Sequence, residues 1–110
     1  MEIKKITDVD FQTLVLESSG IVVVDFSSPH CNPCKAVYRT ISELAAKYTN
    51  VVFYEMDTDS HPIAPSKQLV MALPTVIIYK NGKEEVRLTG AGGNRILEEN
   101  LKKIMEGGER

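Results

Sequence analysis

The chain has 110 residues, of which 43% are apolar and 25% are charged, and this is the composition of one soluble globular domain. Thirteen basic and fifteen acidic side chains give a net charge of −2, so the sequence lacks the basic excess of a nucleic-acid-binding surface. An apolar run such as residues 21–24 is far shorter than the roughly 20 residues that cross a membrane. No signal peptide is visible at the N-terminus, and we expect a cytoplasmic monomer.

Strands and helices are predicted to alternate along the first half of the chain. Residues 3–6 form a short strand, and Thr7 with Asp10 has the capping-box spacing that opens a helix. A β-branched run without alternation then indicates a strand that is buried on both faces. A helix with apolar residues at helical spacing, a second buried strand and a helix beginning at Pro62 follow. These four elements are predicted over residues 21–26, 34–48, 51–56 and 62–70.

The second half of the chain carries a β-hairpin signal. Two β-branched runs, 75–80 and 83–88, flank the pair Asn81-Gly82, which is typical of a type I′ turn. An amphipathic helix beginning near Asn94 closes the chain. The order β-α-β-α-β-α-β-β-α predicts an α/β fold with a central mixed sheet and helices on both faces. We expect one domain over residues 1–106 and a flexible C-terminal tail over residues 107–110.

The two cysteines of the chain, Cys31 and Cys34, are separated by only two residues. A disulfide that closes so short a loop adds little stability, so the pair is expected to be chemical rather than structural. Cys31 would lie at a helix N-terminus, where backbone N–H groups and the helix dipole stabilise a thiolate. Cys34, one turn further on the apolar face, would be shielded, and this asymmetry suits a nucleophile and a resolving thiol. A zinc site is the alternative, but only His30 and His61 are left as further nitrogen ligands. We therefore expect no metal.

The sequence resembles the thioredoxin family over almost its whole length. Four segments carry the resemblance: residues 24–26 with 31–35, residues 73–75, residues 79–83 and residues 89–91. The resemblance implies a thioredoxin fold and dithiol–disulfide exchange with protein substrates, most simply as a reductant. It also implies an electron-donating reductase as a partner and no cofactor. A weakly active or inactive binding or chaperone module, and a disulfide oxidase or isomerase, remain the alternatives.

The resemblance also assigns roles to individual residues. It implies that Asp25 is a buried proton relay to Cys34, and that the Leu73–Pro74 peptide bond is cis and faces Cys31. A substrate-binding surface is implied around that bond, formed by Leu73, Pro74, Thr75, Gly90 and Ala91. Asn32 and Pro33, between the cysteines, are also part of that surface and are expected to tune the redox properties of the dithiol.

The chain departs from the family pattern around the dithiol. Asn32-Pro33 stands where thioredoxins usually have Gly-Pro, and Ser27 and His30 replace the two flanking tryptophans. Arg39 replaces the proline that kinks the helix.

Two of these departures concern groups that titrate. Glu55 replaces a lysine close to the buried aspartate. We expect Glu55 to share a proton with Asp25 at neutral pH and so to raise the apparent pKa of Asp25, unless its side chain turns to water. His30 is interpreted either as a pH-sensitive tuner of the Cys31 thiolate or as an exposed turn residue.

Overall fold

The structure, a computed structural model, describes residues 3–107, and its elements follow the predicted alternation of strands and helices. A π-helical turn after the first helix and a 3₁₀ turn before the last one are additional to the prediction. In chain order the elements are β1 (Lys4–Lys5), α1 (Asp8–Phe11), the π-helical turn (Gln12–Leu16), β2 (Ile21–Ser27), α2 (Pro33–Lys47), β3 (Val52–Asp57), α3 (Ile63–Lys67), β4 (Thr75–Lys80), β5 (Lys83–Thr89), the 3₁₀ turn (Ala91–Arg95) and α4 (Leu97–Met105).

Most of the predicted tail lies beyond the part of the chain that the structure describes. Gly107 is the last described residue, and residues 108–110 of the predicted tail lie outside the described residues. The proposed domain limits therefore stay a prediction. Between residues 3 and 107, no helix is long and apolar enough to cross a membrane.

The five strands form one mixed sheet in the order β1-β3-β2-β4-β5, which confirms the predicted fold class. Strands β1, β3 and β2 run parallel, and the β4–β5 hairpin is antiparallel to β2. Phe26 near the end of β2 pairs with Thr75 at the start of β4, and Thr75 pairs with Thr89 at the end of β5. The segments that follow β2, precede β4 and follow β5 therefore meet at one end of the sheet.

Helices cover both faces of the sheet. Val23 of β2 packs into one cluster with Val37 and Ile41 of α2 and with residues of α4, whereas Val22 and Val24 belong to a second cluster. The second cluster includes Phe11 and Val15 of the N-terminal helical segment and Ala64 of α3. Because successive side chains of a strand alternate between faces, Asp25 and Ser27 share the α2 face with Val23.

Two of the predicted helix limits are wrong. The helix predicted over residues 62–70 ends at Lys67, because Leu69 adopts a left-handed conformation with φ of 59°. Arg87 of β5 holds this turn by donating to the backbone oxygens of Gln68 (2.7 Å) and Leu69 (3.0 Å). The helix predicted from about Asn94 begins three residues later, because the 3₁₀ turn over residues 91–95 precedes it. Contacts with a distant strand and a glycine-rich turn set these limits, and helical periodicity reports neither.

The hairpin turn and the capping box lie where they were predicted. Thr7 and Asp10 form both hydrogen bonds of the capping box. Asn81 and Gly82 have φ values of 53° and 81°, as a type I′ turn requires. The Asn81 side chain accepts a hydrogen bond of 2.8 Å from the Gly20 N–H, so the turn is fixed to the loop before β2. A Cβ atom at position 82 would lie 2.1 Å from the Leu16 carbonyl oxygen, so packing also requires a glycine there.

Candidate active site

Cys31 and Cys34 form a disulfide at the N-terminus of α2, with their Cα atoms 5.4 Å apart. Cys31 precedes the helix and is half-buried, whereas Cys34 lies in its first turn and is only 4% exposed. Pro33 occupies the first helical position, where its missing N–H removes no helix hydrogen bond, and Asn32 and Pro33 are both exposed. The site thus has one accessible sulfur and one shielded sulfur at the positive end of a helix dipole. In the reduced protein such an arrangement can stabilise an attacking thiolate and protect a resolving thiol.

Asp25 is a fully buried carboxyl group on the face of β2 that α2 covers. Its exposure is 0%, and neither of its oxygens has a hydrogen-bond partner among residues 3–107. Burial, and after it the charge of Glu55, raises the pKa of Asp25 from 3.8 to about 7. A carboxyl group with such a pKa gains and loses a proton near neutral pH, which is what a proton relay needs. The raised pKa was predicted from the proximity of Glu55, but burial of Asp25 is its larger cause.

Glu55 lies beside Asp25 on the neighbouring strand. The two residues are paired in the register of the parallel strands β2 and β3. The Glu55 carboxylate accepts a hydrogen bond of 3.0 Å from the Ser27 hydroxyl, and Ser27 is only 6% exposed. Glu55 itself is half-buried. Ser27 therefore holds the second carboxylate at the rim of the site. This role was not predicted from the sequence, in which Ser27 is only the replacement of a tryptophan.

His30 is an exposed residue of the loop before the disulfide. Its side chain is 87% exposed, and its Nε2 atom lies 3.9 Å from an Asp59 carboxylate oxygen. Ser28 links the same two residues, because its hydroxyl donates to Asp59 (2.8 Å) and accepts from the His30 N–H (3.1 Å). His61 lies before α3, and its N–H donates to the backbone of β3. Within the described 3–107 range, no three His, Cys, Asp or Glu side chains gather as a metal site would require.

The residues implied as a substrate-binding surface lie at the same end of the sheet as the disulfide. The Leu73–Pro74 peptide bond is cis, and the Gly90 N–H donates to the Pro74 carbonyl at 2.8 Å. Leu73 is half-buried and Ala91 is exposed. Thr75 is 1% exposed, and its hydroxyl donates to a nearby backbone carbonyl at 2.7 Å. Leu73, Gly90 and Ala91 thus have accessible atoms, whereas the side chain of Thr75 is used inside the loop.

A cleft of about 340 Å³ opens on the disulfide from the side of β3. Both cysteines contribute to its wall, and three charged residues border it, namely Lys35, Arg39 and Glu55. The complete lining consists of Ser27, Ser28, Pro29, Cys31, Cys34, Lys35, Tyr38, Arg39 and Glu55. Arg39 and Ser27 drew attention in the sequence only as departures from a family pattern. Their shared place beside the sulfurs follows from the packing of α2 over β2 and β3.

Comparison with known proteins identifies the family to which the chain is similar. The thioredoxin family profile matches residues 2–103. The chain is 36% identical to the thioredoxin of Staphylococcus aureus over 104 residues, which cover 94% of this chain and 98% of that protein. It is 34% identical over 105 residues to chloroplastic thioredoxin M2 of Arabidopsis thaliana, covering 94% of this chain but 56% of the relative. The chain spans little more than half the length of the chloroplastic relatives it matches.

A solved structure gives the same result for the fold. It matches with a TM-score of 0.84 and 28% identity, over 93% of this chain and 95% of the other. That structure is described as the structural basis of the thiol resolving mechanism in yeast mitochondrial 1-Cys peroxiredoxin via glutathione/thioredoxin systems.

Proposed function

The chain belongs to the thioredoxin family, and on that premise we propose that it is a thiol–disulfide oxidoreductase that reduces disulfide bonds in other proteins. The observation that carries the proposal is the unequal burial of the two sulfurs at the N-terminus of α2. Cys31 is reachable by a protein substrate, and Cys34 is shielded at 4% exposure.

The reaction takes place in two exchanges. The Cys31 thiolate attacks one sulfur of the substrate disulfide, which gives a mixed disulfide and releases the first substrate thiolate. Cys34 loses its proton and attacks Cys31 Sγ, so that the Cys31–Cys34 bond forms and the second substrate thiolate leaves. The substrate gains two electrons, and the protein dithiol loses them.

Asp25 is proposed as the group that accepts the proton of Cys34. Its carboxylate is the fully buried base on the sheet face that α2 covers, and its pKa of about 7 lets it act at neutral pH. Below that pH the carboxyl group is protonated and cannot take the proton. The second exchange is therefore expected to slow as the pH falls.

We also propose how the protein meets its substrates. Leu73, Gly90 and Ala91 offer backbone and apolar atoms at the disulfide end of the sheet, beside the buried Pro74, and this suits short β-type pairing with an extended substrate segment. The protein would work as a cytoplasmic monomer. A separate reductase would return two electrons to the disulfide after each cycle.

Substitution of each cysteine tests the proposed roles. Cys31→Ser is expected to abolish the reduction of insulin disulfides, because it removes the attacking thiolate. Cys34→Ser is expected to retain the first exchange and to accumulate mixed disulfides with substrates, which are detected on non-reducing gels and released by dithiothreitol. Trapping by the Cys31 variant instead of the Cys34 variant would reverse the roles. No insulin reduction by the wild-type protein would refute the function.

The direction of the reaction is tested by the reduction potential. A reductant of this fold has a potential of about −270 mV, whereas a strong oxidant has a potential of about −120 mV. Equilibration of the wild-type protein with dithiothreitol buffers is expected to give a value close to the first. A value close to the second would make the protein an oxidase.

A further inference from the structure

The cleft beside the disulfide has the size of a binding site for a small molecule. Its volume of about 340 Å³ lies within the range of small-ligand pockets, roughly 300–1,000 Å³. Both cysteines are part of its wall, so a molecule bound there would lie beside the redox-active disulfide. The ligand is therefore expected to be small and to take part in thiol chemistry.

The charges around the cleft are of both signs. Lys35 and Arg39 lie one turn apart on α2, and Glu55 lies on β3. None of the three takes part in a salt bridge within residues 3–107. Within that range the carboxylate of Glu55 has only the neutral Ser27 hydroxyl as a hydrogen-bond partner. A ligand that carries both a carboxylate and an ammonium group would complement all three side chains.

We propose that this cleft binds a small zwitterionic thiol of the α-amino-acid class and presents its sulfur to the Cys31–Cys34 disulfide. The ligand carboxylate would pair with Arg39 and Lys35, and its ammonium group with Glu55. The inference deepens the proposed function, because the same disulfide is the reacting group. It adds a second source of electrons besides a reductase.

The bound thiol reduces the protein in two balanced steps. Its thiolate attacks Cys31 Sγ, which is the more accessible sulfur, and the Cys31–Cys34 bond breaks with the electron pair leaving on Cys34 Sγ. Cys34 takes up a proton. A second molecule of the thiol then attacks the ligand sulfur of the mixed disulfide, and the Cys31 thiolate leaves. Two ligand thiols are oxidised to one ligand disulfide, and the protein disulfide is reduced to the dithiol.

Four thiols that differ in charge serve as probes. L-cysteine carries both charged groups, cysteamine lacks the carboxylate, 3-mercaptopropionate lacks the ammonium group and 2-mercaptoethanol lacks both. The rate of reduction of the oxidised protein is measured with each thiol at one pH. The rates are corrected for the thiolate fraction and for the dependence of nucleophilicity on thiol pKa. The wild-type protein is expected to react with L-cysteine faster than with the other three after this correction.

Two variants separate the two charge contacts. Arg39→Gln is expected to lower the ratio of the L-cysteine rate to the cysteamine rate by about two- to fivefold, which is the effect of losing one exposed ion pair. Glu55→Gln is expected to lower the ratio of the L-cysteine rate to the 3-mercaptopropionate rate by a similar factor. Ratios are used because Glu55 also acts on Asp25, and that effect is common to all four thiols. Arg95→Gln and Glu99→Gln, on exposed residues that do not line the cleft, serve as matched controls.

The outcome separates this inference from the proposed function. If Arg39→Gln and Glu55→Gln change the four corrected rates by the same factor, or change none, the cleft does not recognise a zwitterion and the inference is wrong. Reduction of insulin by the dithiothreitol-treated wild-type protein is measured in parallel and tests only the proposed function. Altered ratios without insulin reduction would support the ligand site and refute the proposed protein-disulfide reductase activity.

Discussion

Replacement of Glu55 by glutamine should lower the pH at which the second exchange reaches half of its maximal rate. The wild-type midpoint is expected near the Asp25 pKa of about 7, because in the proposed mechanism only the ionised carboxylate accepts the proton of Cys34. Glu55→Gln keeps the size of the side chain and its ability to accept the hydrogen bond of Ser27, but removes the charge that opposes ionisation of Asp25.

The size of the effect follows from the two causes of the raised pKa. The pKa of Asp25 rises from 3.8 to about 7, and burial contributes more than Glu55 does. Removal of the Glu55 charge should therefore reverse less than half of that rise and lower the midpoint by about 1 pH unit. Glu55→Lys should lower it further, because the like charge is replaced by an opposite one.

Rapid mixing of the reduced protein with an aromatic disulfide whose thiol product is coloured separates the two exchanges. The first release of coloured thiol reports attack by Cys31, and the second reports resolution by Cys34. The second rate is measured between about pH 5 and 9 for the wild-type protein and both Glu55 variants, with Glu99→Gln as a control at an exposed glutamate of α4. Superimposable profiles of the second phase for wild-type and both Glu55 variants, or a midpoint that rises in Glu55→Gln, would refute the coupling of the two carboxylates.

Other predictions follow from the buried carboxyl group, the hairpin and the loop before the disulfide. Because the pKa of Asp25 is raised in the folded state, the native protein binds more protons than the unfolded chain between pH 3.8 and about pH 7. Asp25 therefore destabilises the fold increasingly as the pH rises over that range. Denaturant titrations measure the free energy of unfolding of Asp25→Ala minus that of wild-type. This difference should increase by about 4 kcal/mol from about pH 4 to 8, and a constant difference would contradict the prediction. Gly82→Ala should lower the free energy of unfolding by at least about 2 kcal/mol, because its Cβ would lie 2.1 Å from a backbone oxygen. Gly20→Ala, with a φ of 84° but open space around the Cβ, should lower it by about 1 kcal/mol. Equal losses would argue against the clash. His30→Ala should leave the pH dependence of the reduction potential unchanged, because its imidazole is 87% exposed and faces Asp59; a changed pH dependence would make His30 a tuner of the thiolate.

Local signals in the sequence predicted those parts of the fold that depend on a few neighbouring residues. Asn81-Gly82 predicted its turn because few residues adopt two successive positive φ values, and Thr7 with Asp10 predicted a helix start because both capping bonds are local. The end of α3 was not predictable in this way. It depends on Arg87, which lies about twenty positions further along the chain and holds the turn through two backbone oxygens.

In the candidate site, too, local features were predictable from the sequence and contacts between distant residues were not. The sequence predicted the unequal exposure of the two cysteines, because Cys31 precedes the helix at its N-terminus whereas Cys34 begins the apolar stripe of the helix. The importance of burial at Asp25 depends on the covering helix, and the orientation of Glu55 depends on Ser27, 28 positions away. Sequence periodicity carries no information on such side-chain pairs.

The two outer strands of the sheet are built in a way that opposes aggregation. β1 consists of two lysines, and β5 carries four charged residues, Lys83, Glu84, Glu85 and Arg87. Unpaired strand edges are templates for amyloid-like growth, and natural proteins protect them by keeping an edge short or by placing charges on it. These charges do not depend on the state of the cysteines. Resistance to aggregation through strand addition should therefore be the same in the oxidised and the reduced protein.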